Sequence, residues 1–141
     1  MTQPEAIKIG AETIAELIEA ARRARENAYV PYSKFPVGAA VLSTDGTIFA
    51  APNVENASYG LTICAERAAI FKAVGEGHRD LVAIAIVADT PGPPRPCGAC
   101  RQVMVEFNEG MQVIMANLTG DTEVLPLAGM LARPFRLEGQ V

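Results

Sequence analysis

"LVAIAIVA", residues 81–88, is wholly apolar, and four of its eight residues are β-branched. The run is far too short to cross a bilayer. Its length and composition read as a strand buried on both faces. Such a strand needs a helical layer above it and another below, so the flanking segments decide the architecture.

On the C-terminal side, "DTPGPPRP" at 89–96 is a loop by its prolines. A helix is expected from near Cys97 to near Asn108, with Gly110 beyond it. "MQVIMANL" at 111–118 reads as a further strand, and "TGDTEVLPLAGML" as a turn, a short strand and a short helix. On the N-terminal side, a helix is expected from about Cys64 to Glu76, ending before Gly77, and "NVENASYGLT" is a loop without period. "VGAAVLS" and "TIFAAP", joined through "TDG", read as a hairpin. "YVPYSKFP" breaks the chain with two prolines. Residues 12–28 place Ile14, Leu17, Ile18 and Ala21 at helical spacing. Thr13 with Glu16 has the pattern of a capping box, with a start a residue or two earlier as the alternative. Strands alternating with helices predict an α/β fold: a three-layer α/β/α sandwich on a mixed five-stranded sheet, the antiparallel hairpin at one end. No internal repeat or low-complexity segment interrupts the order.

The 141 residues suit one domain, 1–141, and half of them are hydrophobic, enough for one sizeable core. A net charge of −4 disfavours a polyanion partner. The one dense basic patch, Arg22, Arg23 and Arg25, falls within the first helix and reads as a solvated face. The start "MTQPEAIKIG" lacks the cationic and apolar regions of an export signal, so a reducing cytoplasm is the expected compartment. Three cysteines there make a poor disulfide framework.

Those three carry the chemistry. Cys97 and Cys100 form "PCGAC", a C-x-x-C at a helix start, which suits either a redox dithiol or a pair of zinc ligands. Cys64 favours the metal, because it also stands at a predicted helix start, in "TICAERAAI". Two facing helix N-termini would gather three sulfurs, and zinc suits thiolates. The single histidine, His78, lies past the far end of the Cys64 helix and reads as surface. Three protein ligands leave an open position, which on zinc holds water; that is the catalytic arrangement rather than the closed structural one. Three thiolates on Zn²⁺ sum to −1, which weakens acidification of the water. Two helix N-termini return roughly +0.5 each, and Arg67 adds a full positive charge. Arg67 is therefore expected to support the thiolates electrostatically. Glu66 is not needed as a ligand, and a carboxylate beside metal-bound water is a proton carrier.

"CAE" followed by "PCGAC" resembles the zinc-dependent cytidine deaminase family. The likeness extends through "YVPYSKFPVGAAV", "NVENASYG", "CAERAAIFKAV", "PCGACRQV" and "LPLAGMLARPF", nearly the whole chain. It is nearest to the short nucleoside deaminases that assemble as homotetramers. The resemblance implies hydrolytic deamination of cytidine and 2′-deoxycytidine to uridine and 2′-deoxyuridine with release of ammonia, in pyrimidine salvage. It implies one Zn²⁺ per chain on Cys64, Cys97 and Cys100, with Glu66 as the catalytic proton carrier. Asn53 and Glu55 would bind the ribose hydroxyls, and Phe35 would pack on the base. Backbone groups around Ala65 and Cys97 would read the base edge. Tyr59 and Phe135 would reach active sites of neighbouring subunits. "AAPN" departs from the glycine-cysteine pair common before the Asn, and Pro52 removes a backbone donor there.

Each residue also has a plainer reading. Phe35 suits a core, Asn53 and Glu55 suit turns and caps, Phe135 a plug, and Arg67 an exposed helix position. Other functions compete as well. A deaminase of a blasticidin-type antibiotic shares the zinc core, but "NVEN" and "PYSKFPVGAAV" favour a nucleoside. A polynucleotide-editing deaminase usually carries histidine for the first cysteine and a basic surface. A non-enzymatic zinc module needs a fourth ligand, and a dithiol redox protein leaves Cys64 and Glu66 unexplained.

Overall fold

The computed structural model describes residues 8–137. The first seven residues, part of the stretch read above for an export signal, lie outside the described residues. Among the described residues, eight α-helices and strands follow one another, and a short 3₁₀ helix at Leu127–Gly129 comes after the last strand. The eight are α1 (Ala11–Arg25), β1 (Val37–Ser43), β2 (Ile48–Pro52), α2 (Ala65–Gly75), β3 (Leu81–Ala88), α3 (Gly98–Phe107), β4 (Gln112–Ala116) and β5 (Thr122–Pro126). The sheet order is β2-β1-β3-β4-β5. β3 and β4 run parallel, linked across α3, and the other three pairings are antiparallel. The expected mixed five-stranded sheet is present, with the hairpin at one edge.

β3 lies at the centre, and all eight of its residues are buried. Its alternation sorts the two layers. Ile84 and Ile86 face α2 and α3 together with Val41, Val113 and Met115. Ala85 and Val87 face α1 together with Ala40, Ile114 and Ala116. Half of the buried sheet residues on the α1 side are alanines, which lets that helix lie close to the sheet. Gly38 marks the closest approach: a Cβ there would collide with the Ala21 carbonyl and stand 2.7 Å from the Arg25 backbone N. Only glycine fits that position.

α1 takes the earlier of the two expected starts and ends three residues before the expected Ala28. The Thr13–Glu16 capping box does not form. The helix starts two residues before Thr13, after Gly10, with no side-chain cap. Ile9 and Ile14, in staple positions around that start, both pack on the Leu17–Ala21 cluster and set it by burial. The helix closes at Arg25, and residues 26–28 continue as tight turns. Arg22 and Arg23 both pair with Glu19 in a solvated face, whereas Arg25 turns inward and donates to the Pro36 carbonyl at 3.1 Å. The "TDG" turn forms as read, with Gly46 at φ +91°. Pro52 costs the sheet nothing. It ends an edge strand opposite Gly38, and the ladder hydrogen bond falls on the next residue, Asn53 N to Val37 O at 3.1 Å. Among the described residues, no helix is long and apolar enough to cross a membrane.

Candidate active site

Cys64 is the N-cap of α2 and Cys97 the N-cap of α3. Both are extended at the cap, so each helix presents its unpaired N–H groups where the sulfurs meet. Cys100 sits one turn into α3 and is fully buried. The three sulfurs lie within 4.8 Å of one another, and Cys97 Sγ to Cys100 Sγ is 3.4 Å. All three cysteines are free thiols. A tetrahedral zinc with sulfurs at about 2.3 Å sets sulfurs about 3.8 Å apart, so the cluster has the right size. Among the described residues, no other Cys, His, Asp or Glu joins this ligand group.

The electrostatics favour thiolate. The Cys64 thiol is held down to about 5, first by the hydrogen bond from Cys100 and then by Arg67. Arg67 Nη2 donates to Cys64 Sγ at 3.3 Å, and its Nε is buried with no partner. Arg67 is therefore neither an exposed helix residue nor free to bind a distant group. Sharing its proton with Cys64 and being buried push the Cys100 thiol up. One thiolate, at Cys64, thus forms readily while Cys100 resists, which is the state a bound divalent cation relieves.

Glu66 is 5% exposed in the first turn of α2. Burial raises its pKa, with the nearby Cys64 charge adding to the effect. Its carboxyl lines a cleft of about 300 Å³ together with Cys64, Ala65 and Cys97. Phe35, Asn53 and Glu55 line the same cleft. Phe35 is 42% exposed, so it is a cleft wall rather than core.

Asn53 and Glu55 also hold backbone, as their plainer readings suggested. Asn53 Oδ1 accepts from Val37 N at 2.9 Å, taking the place of its own carbonyl in the ladder. That carbonyl is freed to accept from Tyr29 N, while Asn53 Nδ2 donates to Phe35 O at 3.0 Å. Glu55 Oε1 accepts from Tyr32 N and Ser33 N, and the Ser33 contacts hold its carboxyl below the usual range. Neither residue donates or accepts through all its polar sites, so each keeps capacity for a ligand. Together they fix the turn that carries Phe35, in which Lys34 takes a positive φ of 60°.

Two predicted site residues are not brought to this cleft. Tyr59 is 77% exposed and lines, with Tyr32 and Thr62, a hollow that adjoins the cleft through the shared residues Ser33 and Glu55. Phe135 is 70% exposed, its backbone clasped by the Gln102 carboxamide at 2.9 and 3.2 Å. His78 is at the far end of α2, as read, but it is only partly surface. It tilts against Phe49, with ring centroids 4.9 Å apart, and pairs with Asp45 at 3.5 Å. Arg95 went unnoticed in the sequence, though it is the one charge among the prolines of 91–96. It lines the cleft and pairs with Glu123 at 3.1 Å.

A family described as the cytidine and deoxycytidylate deaminase zinc-binding region matches residues 11–116. A cytidine deaminase from Sporosarcina psychrophila is 55% identical over 126 residues, covering 89% of this chain and 93% of its own. One from Halalkalibacterium halodurans is 55% identical over 123 residues, covering 86% and 93%. The crystal structure of cytidine deaminase from Burkholderia pseudomallei superposes with a TM-score of 0.84 at 51% identity, over 86% of this chain and 98% of that one. The family match spans the three thiols, the cleft and the first four strands of the sheet, and the chain belongs to the zinc-dependent cytidine and deoxycytidylate deaminase family.

Proposed function

We propose that the protein hydrolyses the exocyclic amine of cytidine and 2′-deoxycytidine, giving uridine or 2′-deoxyuridine and ammonia, as one deaminase domain spanning residues 1–141. The observation that carries this reading is a buried acid, Glu66, beside three converging thiols, two of which, Cys64 and Cys97, line a nucleoside-sized cleft with it. Cys64, Cys97 and Cys100 hold one zinc per chain. When bound, the metal acidifies water so that a nucleophile is available at neutral pH.

The chain's own residues do the rest. Glu66 accepts a proton from the attacking water and passes it to the ring nitrogen beside the reacting carbon. It then takes the second proton from the new hydroxyl, which becomes the carbonyl, and delivers it to the amine as the carbon–nitrogen bond breaks and ammonia leaves. Its raised pKa suits that shuttle, because a carrier works best when both protonation states are accessible near the working pH. Arg67 and the two helix N-termini offset the thiolate charge. Phe35 packs on the base, and backbone groups around Ala65 and Cys97 read its edge. Glu55 and Asn53 use their remaining polar capacity on the ribose hydroxyls. Binding is limited to small nucleosides, without nucleic acid polymer or membrane, and the compartment is the cytoplasm.

Adding cytidine is expected to convert its ultraviolet spectrum to that of uridine, and a strong chelator is expected to stop the conversion. An unchanged spectrum from zinc-loaded protein, or full turnover by metal-free protein, would refute the reading.

The assembly we propose is a homotetramer. Tyr59 and Phe135 are large, exposed and not among the residues lining their own cleft, which suits residues that complete a neighbour's site. Sedimentation is expected to give a mass near four chains. A monomer alone at working concentrations would leave both residues without that role.

A further inference from the structure

Between β3 and α3 the chain runs through Pro91, Gly92, Pro93, Pro94, Arg95 and Pro96 before it reaches Cys97. The four prolines have fixed φ and no N–H, so this arm is stiff but donates little of its own. Side chains tie it down instead: Thr90 Oγ1 donates to Gly92 O at the arm's own start, and three further side-chain ties fasten it to the rest of the fold. Arg101 Nε donates to Pro96 O at 3.0 Å, and Arg95 pairs with Glu123 on β5. The third is Asn117, just after β4 and 6% exposed.

The Asn117 carboxamide is saturated. Nδ2 donates to Thr90 O at 3.0 Å, Pro91 O at 3.3 Å and Asp121 Oδ2 at 2.9 Å. Oδ1 accepts from Thr119 N at 3.1 Å and Asp121 N at 2.9 Å. One half of the group therefore builds the β4–β5 turn, and the other half grips the start of the arm. A buried group with this many partners is a fixed point. A stiff arm transmits that position to its other end, where Pro94, Arg95 and Cys97 form one side of the cleft.

We propose that Asn117 is a positioning residue for the active site, setting the place of the Cys97 ligand and of the arm's cleft wall from outside the site. The proposal builds on the zinc deaminase reading above.

The test separates the turn from the grip, using the full zinc-loaded chain. Asn117→Asp keeps the acceptor but removes the donor to Thr90 and Pro91 and sets two carboxylates face to face. The exchanged pair Asn117→Asp with Asp121→Asn restores the hydrogen bond between positions 117 and 121, yet still lacks the grip. Zinc release to a chelating dye, melting temperature, kcat and KM for cytidine are read together. The exchanged pair is expected to recover most of the melting temperature lost by Asn117→Asp. Its zinc release should stay about 10-fold faster than the wild type, with KM raised, in line with outer-shell effects at metal sites. If zinc release and KM return to wild type in the exchanged pair, Asn117 only builds the turn and the proposal is wrong. Where Asn117→Asp does not fold, the exchanged pair against the wild type decides by the same readings. A wild type that holds zinc without turning over cytidine would sink the deaminase reading instead, and zinc release would still test the grip.

Discussion

Glu66→Gln is expected to keep its zinc and lose about 10³-fold in kcat, within the range that a positioned acid–base group supplies. The substitution preserves size and leaves the three thiols in place. It removes the one carboxyl that the cleft buries beside them, and with it the path for the proton. The other carboxyl lining the cleft, Glu55, cannot stand in. Its Oε1 accepts from Tyr32 N and Ser33 N, and the Ser33 contacts hold the carboxyl ionised and below the usual range. Burial also makes the loss specific to catalysis. Glu66 has its pKa raised by desolvation, so trading it for a neutral amide does not cost the fold a favourable ion pair. Metal analysis alongside single-turnover kinetics checks both halves. Wild-type turnover in a zinc-replete Glu66→Gln would place proton transfer on another group.

The second large effect is expected from Cys97→Ser. Cys97 is ligand, helix cap and cleft wall at once: its Sγ accepts from Cys100 N at 3.5 Å, and it is the first residue after the proline arm. Serine preserves the capping function but is a poor zinc donor. Zinc occupancy and activity should therefore fall together, and stability with them. A site held at about 1,000 times its dissociation constant contributes about 4 kcal/mol to stability, which the variant forfeits. Melting with and without chelator measures this. The chelator should lower the wild-type midpoint and leave that of the variant almost unchanged. Full zinc occupancy in Cys97→Ser would show that the ligand set is different.

Several features were legible because each is local or periodic. β3 announces its double burial by an unbroken apolar run, and α2 and α3 begin within a residue of the positions read from Cys64 and Cys97. The "TDG" hairpin and the short elements of the tail also follow from neighbouring residues. In α1 a local pattern competed with burial. The capping box at Thr13 was a valid signal, but Ile9 and Ile14 packing on the core set the helix start instead. The half-burial of His78 depends on Phe49 and Asp45, roughly thirty residues earlier in the chain, and has no signature nearby.

By itself, the sequence determined the order of elements, the layered sheet and the chemistry of three thiols beside one acid. These follow from hydrophobic period, turn residues and the affinity of sulfur for zinc, none of which needs coordinates. Only the tertiary structure decided that Asn53 replaces its own carbonyl in the ladder, that Arg67 spends a donor on Cys64, and that Asn117 grips the arm ahead of Cys97. For Asn53 and Asn117 the reason is that a side chain bonds backbone some sixteen to twenty-seven residues away. Arg67 reaches only one helical turn, but whether it faces the sulfur or the solvent depends on how α2 packs against α3. Such bonds follow no period, and they exist only once packing has brought the partners within 3 Å or so of one another.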